Sequence, residues 1–286
     1  MAGEPCIVVQ DLWYSYGGEV TALQGIDLEI EDGDYVAVIG QNGSGKTTLV
    51  KHFNGLLKPT RGRVLVRGLS DREGSPLLRD TADLTAGQLA QTVGYVFQNP
   101  DHQIFCATTR QELAFGPRNL DLPEAEVKRR VEEALARFDL EEVADKPPAV
   151  LGYGLRRKIG VAAVYAMRPR IFILDEPTTG LDWRSTMELM ELIGEMHCHG
   201  HTIILVTHDM KLVAEFSQKS LVLRDGQVLV YDDTRNVFEH SEILRDTQIE
   251  PPQITALAKR MVPYGMPGDV LSVEEFYTAY CGLGER

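Results

Sequence analysis

The run Tyr35-Val-Ala-Val-Ile-Gly-Gln-Asn-Gly-Ser-Gly-Lys-Thr-Thr48 decides how the rest of the chain is read. Its first five residues are apolar and β-prone, enough for a buried strand. Gly40 to Thr47 then fits the spacing G-x-x-x-x-G-K-[ST]. Leu49, Val50, Phe53, Leu56 and Leu57 recur at helical spacing, which predicts a helix over 47–57. Glycines so placed let main-chain N–H groups turn inward around a phosphate, and the amino end of the following helix adds a favourable dipole. Lys46 brings a full positive charge to the outer phosphates, and the Thr47 hydroxyl is a ligand for Mg²⁺. Lys46 is the first lysine or arginine of the chain, after eight acidic residues, so it belongs to no general basic surface. The plainer alternative is a glycine turn carrying a solvated lysine.

The chain around this run has 286 residues, 43% of them apolar and 25% charged, with a formal charge of −13. Those values exclude disorder, collagen and a disulfide scaffold. An acidic surface repels a polyphosphate backbone, so no nucleic-acid partner is expected. Cys6, Cys106, Cys198 and Cys281 form no CxxC pair, which fits a reducing compartment and no zinc site. Met1 to Gln10 has neither a basic start nor a long apolar stretch, so no signal peptide is expected. Uncharged apolar runs such as Ile159 to Met167 fall short of the roughly 20 residues that cross a bilayer.

Before the glycine run, Cys6-Ile-Val-Val9 and Ala22 to Ile30 read as strands separated by turn residues. Gly68 to Gln91 is polar and breaker-rich and reads as a surface insertion. Pro123 to Leu140, with Val127, Val131, Leu135 and Phe138, predicts an amphipathic helix, and Arg156 to Met167 a second one. Ile171 to Leu174 and Thr202 to Val206 predict buried strands flanking a helix of about 15 residues. A strand pair follows around Ser220 to Val230, and the last 50 or so residues read as short helices broken by Pro251, Pro252 and Pro263. Strands alternating with helices predict an α/β fold with a mainly parallel sheet, whose ligand sits at the carboxyl ends of the strands.

Polar residues fall where that rule asks for them. Asp175 and Glu176 follow Ile171–Leu174, Gln98 follows Val93–Phe97, and Thr207 and His208 follow Ile203–Val206. An aspartate beside a triphosphate suits the magnesium shell, and the adjacent glutamate is placed to take a proton from an attacking water. Singly, each has a plainer explanation: a surface amide, a structural histidine, a capped turn before Pro177. Behind a phosphate loop they predict one site.

These motifs, in this order, resemble the ATPase subunit of an ATP-binding cassette (ABC) transporter over about Ile7 to Val230. The resemblance implies a P-loop nucleotidase core with an antiparallel β subdomain, a helical subdomain at about 100–168 and, over 231–286, a small C-terminal helical extension that dimerises. It implies that 1–230 forms the nucleotide-binding domain, with ATP and Mg²⁺ as ligands. ATP would be bound by Tyr16, Gly40, Gln41, Asn42, Gly43, Ser44, Gly45, Lys46, Thr47 and Thr48. Tyr16 would stack on adenine, although Trp13 and Tyr14 are equally aromatic. Thr47, Gln98 and Asp175 would face the metal, Glu176 would be the general base with His208 and Lys46 as catalytic partners, and Asp182 would meet the other subunit. Val96-Phe-Gln-Asn-Pro-Asp-His-Gln-Ile-Phe105 and Glu112-Leu-Ala-Phe-Gly-Pro117 are similar to the energy-coupling factor branch, which imports vitamins or cobalt and nickel ions. His102 stands where that branch has a second acid. The implied location is the cytoplasmic face of the membrane, with a transmembrane coupling subunit and a substrate-binding membrane subunit as partners.

The chain departs from the family's Leu-Ser-Gly-Gly-Gln signature, having Leu151-Gly152-Tyr153-Gly154-Leu155. In the family this segment, at a subunit interface, holds the partner's γ-phosphate. Gly152 has no hydroxyl, and Tyr153 brings a ring where close backbone approach is needed. One lost charge-assisted hydrogen bond is worth about 1.5–3 kcal/mol, roughly 10- to 150-fold in rate. Arg156 and Arg157 are candidates for partial compensation. The expectation is a heterodimer with a second ATPase whose signature is intact. A soluble ABC ATPase of translation or DNA repair, and a mainly regulatory ATP-binding subunit, are the alternatives.

Overall fold

The computed structural model describes residues 4–18, 20–70, 76–239, 244, 247 and 249–283. Two sheets form the framework. Strands β1 (Pro5–Tyr16), β2 (Val20–Glu31), β4 (Arg61–Ser70) and β5 (Pro76–Asp80) make an antiparallel sheet in the order β2-β1-β4-β5. The second sheet has the order β10-β9-β3-β8-β7-β6. Its strands are β3 (Tyr35–Gly40), β6 (Val93–Val96), β7 (Ile171–Asp175), β8 (Thr202–Val206), β9 (Lys219–Arg224) and β10 (Gln227–Asp233). All neighbours in it are parallel except β10 and β9. The predicted α/β fold with a mainly parallel sheet is therefore observed.

The parallel strands are buried on both faces, which is why they read as unbroken apolar runs rather than alternating ones. Val36 and Val38 face one core together with Ile171, Ile173, Leu49 and Phe53. Phe172, Leu174, Ile203 and Leu205 face another, filled by the helical residues Leu113, Val131, Leu135, Ile159 and Ile193. Helices α3 (Thr109–Asn119), α4 (Glu124–Arg137), α5 (Tyr153–Met167) and α6 (Trp183–Cys198) supply that second layer. A third cluster joins Ala37, Ile39 and Val222 of the sheet to Val213 in helix α7 (Met210–Phe216) and to Val237 and Phe238 in helix α8 (Thr234–Glu239). Beyond it, helices Gln253–Met261 and Val273–Leu283 enclose Ala258, Met266 and Val270.

Two local expectations are corrected. The helix after the glycine run, α1, spans Lys46–Phe53 and does not reach 57. Gly55 takes φ +72°, so the chain turns out of the helix and leaves Leu56 exposed. The segment 68–91, of which 71–75 lie outside the described residues, is not a surface insertion over its described part: Pro76–Asp80 is the fourth strand of the antiparallel sheet, and Leu84 and Leu89 are buried in the first core. A capping box at Thr85 and Gln88 starts the short helix α2 (Ala86–Leu89), so polar residues that read as loop are doing the work of helix initiation.

Candidate functional site

Strands β3, β8, β7 and β6 are consecutive in the sheet, and each ends in one of the predicted polar elements. The glycine run follows β3, Thr207 and His208 follow β8, Asp175 and Glu176 close β7, and Gln98 follows β6. Parallel pairing places all four at one rim. Gly40, Gln41, Asn42, Gln98, Glu176, Thr179 and His208 line a single cleft of about 930 Å³.

The loop from Gly40 to Gly45 is shaped by close approach. A Cβ on Gly40, at φ +152°, would stand 2.3 Å from the Leu223 carbonyl oxygen, and one on Gly45, at φ +102°, 2.8 Å from that of Ala22. Only glycine fits at either place. Gly45 caps α1 without a side chain, so the first N–H groups of that helix point into the loop. Ser44 N–H closes the turn on the Gln41 carbonyl at 3.1 Å. Lys46 is buried, and its Nζ donates to the carbonyls of Gly40 and Gln41 at 2.8 and 2.9 Å. Burial pushes its ammonium below the ordinary lysine value, against the opposing pull of Glu176 and Asp175.

Across the rim, the Thr47 hydroxyl donates to Asp175 Oδ1 at 3.2 Å, and the Tyr95 hydroxyl donates to Asp175 Oδ2 at 2.8 Å. Burial and the Asp175 charge both push the Tyr95 phenol far above its usual value, so it remains a donor. Glu176 is buried and takes φ +49°, an uncommon conformation for a residue with a side chain. Its N–H is held by the Val206 carbonyl at 2.9 Å. Its carboxylate meets His208 Nδ1 at 2.8 and 3.0 Å and the Thr179 hydroxyl at 3.3 Å. Gln98 is exposed on the cleft wall.

Of the three aromatic residues near the end of β1, Tyr16 alone is exposed, at 46%, with its hydroxyl 3.2 Å from Thr48 Oγ1. Trp13 lies under the Arg61 guanidinium, and Tyr14 packs edge-on against His52. Asp182 caps α6, accepting from Ser185 N–H at 2.8 Å, which holds its carboxyl below the ordinary aspartate value.

Gly152 caps α5 with no side-chain hydrogen bond, and a Cβ there would meet no atom within 4 Å. A Cβ on Gly154 would make only ordinary contact with Leu181, at 3.6 Å. The Tyr153 ring folds back on its own chain. It covers Gly180, whose Cβ would lie 3.0 Å from it, and the guanidinium groups of Arg156 and Arg157 sit 5.8 and 5.6 Å from its centroid. Arg156 pairs with Asp101, while Arg157 donates to the Phe97 carbonyl at 2.8 Å and to that of Gln98. Arg157 is committed to backbone carbonyls within the chain, and Arg156 to a partly exposed ion pair.

Sequence reasoning missed Tyr95, and it named Arg157 only as a candidate to compensate for the missing serine, not as a side chain buried beneath Gln98. A tyrosine in the otherwise apolar strand Val93–Val96 is itself a signal, because a buried phenol needs a partner for its hydroxyl. Arg157 gave no such signal, since a basic residue on an amphipathic helix ordinarily points to water.

A strand–glycine loop–helix with an acidic pair at the end of β7, one strand removed from β3 in the sheet, defines a P-loop nucleoside triphosphatase. The sequence matches the ABC transporter family over residues 23–179. It is 39% identical to the energy-coupling factor transporter ATP-binding protein EcfA of Methanocaldococcus jannaschii, over 88% of this chain and 87% of that protein. It is 46% identical to a Caldanaerobacter subterraneus protein named only as an ABC transporter ATP-binding protein, over 91% of this chain, but it spans just 44% of that relative's length. The structure of cbiO1 from Clostridium perfringens, described as part of the ABC transporter complex cbiONQ, superimposes with a TM-score of 0.71 at 36% identity. That match covers 89% of this chain and 98% of cbiO1. The chain belongs to the ABC transporter family, as an ATP-binding, ATP-hydrolysing subunit of the energy-coupling factor type. Among the described residues no helix is long and apolar enough to cross a membrane.

Proposed function

We propose that this chain is the asymmetric half of an ATP-driven pair that energises a membrane importer, its partner being a second ATPase with an intact signature. One observation carries the reading. Lys46 on the loop carbonyls, the Thr47–Asp175 pair and the Glu176–His208 pair stand together along one rim, whereas the segment at Gly152 offers no hydroxyl and has nearby arginines bonded inside the chain. The catalytic set of this chain would work with the partner's signature, and the partner's set with the weakened one.

In the working site, Lys46 exchanges its bonds to Gly40 and Gln41 for the outer phosphates. Main-chain N–H groups at the head of α1 hold the rest of the triphosphate. Mg²⁺ fits the donors present, a hydroxyl and a carboxylate oxygen 3.2 Å apart, which are hard ligands of the kind it takes alongside phosphate and water. When bound it would neutralise phosphate charge. Glu176 takes the proton of the attacking water, and His208 holds the carboxylate in position. Tyr16 carries the adenine, and Gln98 faces both the metal and the membrane subunits.

We assign the chain to the cytoplasmic face of the membrane, as a peripheral subunit on a transmembrane coupling subunit that works with a substrate-binding membrane protein. The single phosphate loop and the charge of −13 weigh against a soluble factor acting on nucleic acid. The test is steady-state ATP hydrolysis by the purified chain alone and with a second ATPase of the same transporter. The expected result is slow turnover alone and at least tenfold faster turnover together, on the loss set above for one charged hydrogen bond. Vigorous turnover by the chain alone, abolished by Glu176→Gln, would overturn the asymmetry.

A further inference from the structure

Arg157 is 1% exposed, and among the described residues it has no carboxylate within ion-pair distance. Burying a guanidinium is costly unless its donors are used. Here they go to the two consecutive carbonyls of Phe97 and Gln98 and, at 3.0 Å, to the Tyr153 hydroxyl. Among the described residues the Arg157 Nε atom has no partner. The main chain at Gln98 is thus pinned by a buried cation while the Gln98 side chain lines the nucleotide cleft.

The same short segment is tied to α5 twice more. Gln103 accepts from Phe97 N–H at 3.1 Å and donates to the Gly160 carbonyl at 2.8 Å, and Arg156 pairs with Asp101. Tyr153 adds a link that these lack. Its ring rests on Gly180, in the loop whose Thr179 hydroxyl reaches Glu176. One aromatic side chain therefore touches the loop of the candidate general base and, through Arg157, the backbone of the lid glutamine. Arg157 is also electrostatically coupled to Asp175 and Glu176, whose negative charge opposes the loss of its proton on burial.

We propose that Tyr153 and Arg157 are a positioning pair that sets the orientation of Gln98, so that the lid glutamine moves as one body with the amino end of α5 and in register with Glu176. The residue that departs from the family's glycine thereby has a use within its own subunit. The proposal rests on the reading of Gln98 as the residue that meets the metal.

The test uses Tyr153→Phe, which keeps the ring and removes only the acceptor, with Arg157→Lys as a second variant that keeps the charge but cannot span two carbonyls and a hydroxyl. Amide hydrogen exchange at residues 98–103 is measured in the nucleotide-free full chain. Mg²⁺ is titrated against binding of a fluorescent ATP analogue, with Gln98→Ala as reference. Exchange at 98–103 and the half-saturating Mg²⁺ should each rise in Tyr153→Phe, by at most about 10- to 150-fold, the range for one hydrogen bond to a charged group. The Mg²⁺ effect should vanish when Gln98 is already alanine, because the two residues act in series. A lower melting temperature with exchange and Mg²⁺ dependence unchanged would make the pair merely structural and overturn the proposal. If Gln98→Ala itself left the Mg²⁺ titration unmoved, the reading of Gln98 would fail, and exchange at 98–103 would still decide whether the pair holds that segment.

Discussion

His208 Nδ1 stands 2.8 Å from one oxygen of Glu176 and 3.0 Å from the other, so the carboxylate at the end of β7 is gripped by the residue at the end of β8. Glu176 is buried and His208 is 69% exposed. The carboxylate is held from the solvent side, and its orientation depends on the parallel register that sets Asp175 opposite Val206. The N–H of Glu176 on the Val206 carbonyl fixes its strained φ in the same register.

Replacing Glu176 with Gln keeps the size and the bond to His208 but removes the proton acceptor. Turnover should fall about 100- to 10,000-fold, the usual share of a general base, with ATP affinity little changed. Single-turnover hydrolysis and nucleotide binding on the same preparation separate the two. Comparable losses of affinity and rate would mean that Glu176 holds nucleotide rather than activates water.

Much of this site was legible because the sheet rule converts strand order into position: an apolar run followed by a polar residue marks a strand's carboxyl end. Gln98, Asp175, Glu176 and His208 were all found that way. Orientation was not legible. Nothing in the pattern of α5 distinguishes an arginine turned to solvent from one buried beneath Gln98, since both sit at the same helical spacing. The antiparallel strand at Pro76–Asp80 was hidden for a related reason: its exposed positions carry Leu77 and Arg79 and its half-buried ones Leu78 and Asp80, so residue type does not alternate with burial. The early end of α1 was written in Asn54-Gly55, a C-terminal signal outweighed in the reading by the two leucines after it.

Tyr95 should tune the metal site without touching ligand. Its hydroxyl holds Asp175 Oδ2 at 2.8 Å and leaves Oδ1 to Thr47. Partners of this kind typically affect metal affinity by about 10- to 100-fold. Tyr95→Phe is therefore expected to raise the Mg²⁺ needed for half-maximal ATPase by about tenfold, with ATP binding in the absence of Mg²⁺ preserved. A fall in maximal rate with an unmoved Mg²⁺ curve would show that Tyr95 serves packing alone.

Gly152 offers a gain-of-function test. Its φ of −60° and ψ of 157° suit any N-cap residue, and a Cβ there meets no atom within 4 Å. Gly152→Ser should stabilise the chain by a few tenths of a kcal/mol, the usual margin of serine over glycine at an N-cap. If the missing hydroxyl is what slows the site built on this segment, turnover of the chain alone should rise, by at most about 10- to 150-fold. Added stability with no added turnover would shift responsibility to Tyr153 and Leu155.

Lys46 makes nucleotide binding proton-linked at alkaline pH. In the free chain burial lowers its ammonium below the ordinary value of 10.5, while Glu176 and Asp175 act in the opposite direction. A triphosphate brought against Nζ adds negative charge, which favours the protonated form and raises the value in the complex. Between the lowered value of the free chain and the higher one of the complex, binding must take up a proton. ATP affinity should fall as pH rises through that window, and the heat of binding should change with the ionisation enthalpy of the buffer. Below the window Lys46 is charged in both states, so the buffer effect should disappear. Lys46→Arg, which stays charged throughout, should remove Lys46's contribution to this buffer dependence even where it weakens binding. Titration calorimetry in two buffers at each pH measures the uptake directly. An unchanged uptake in the arginine variant would place the titrating group elsewhere in the cleft and remove Lys46 from the outer phosphates.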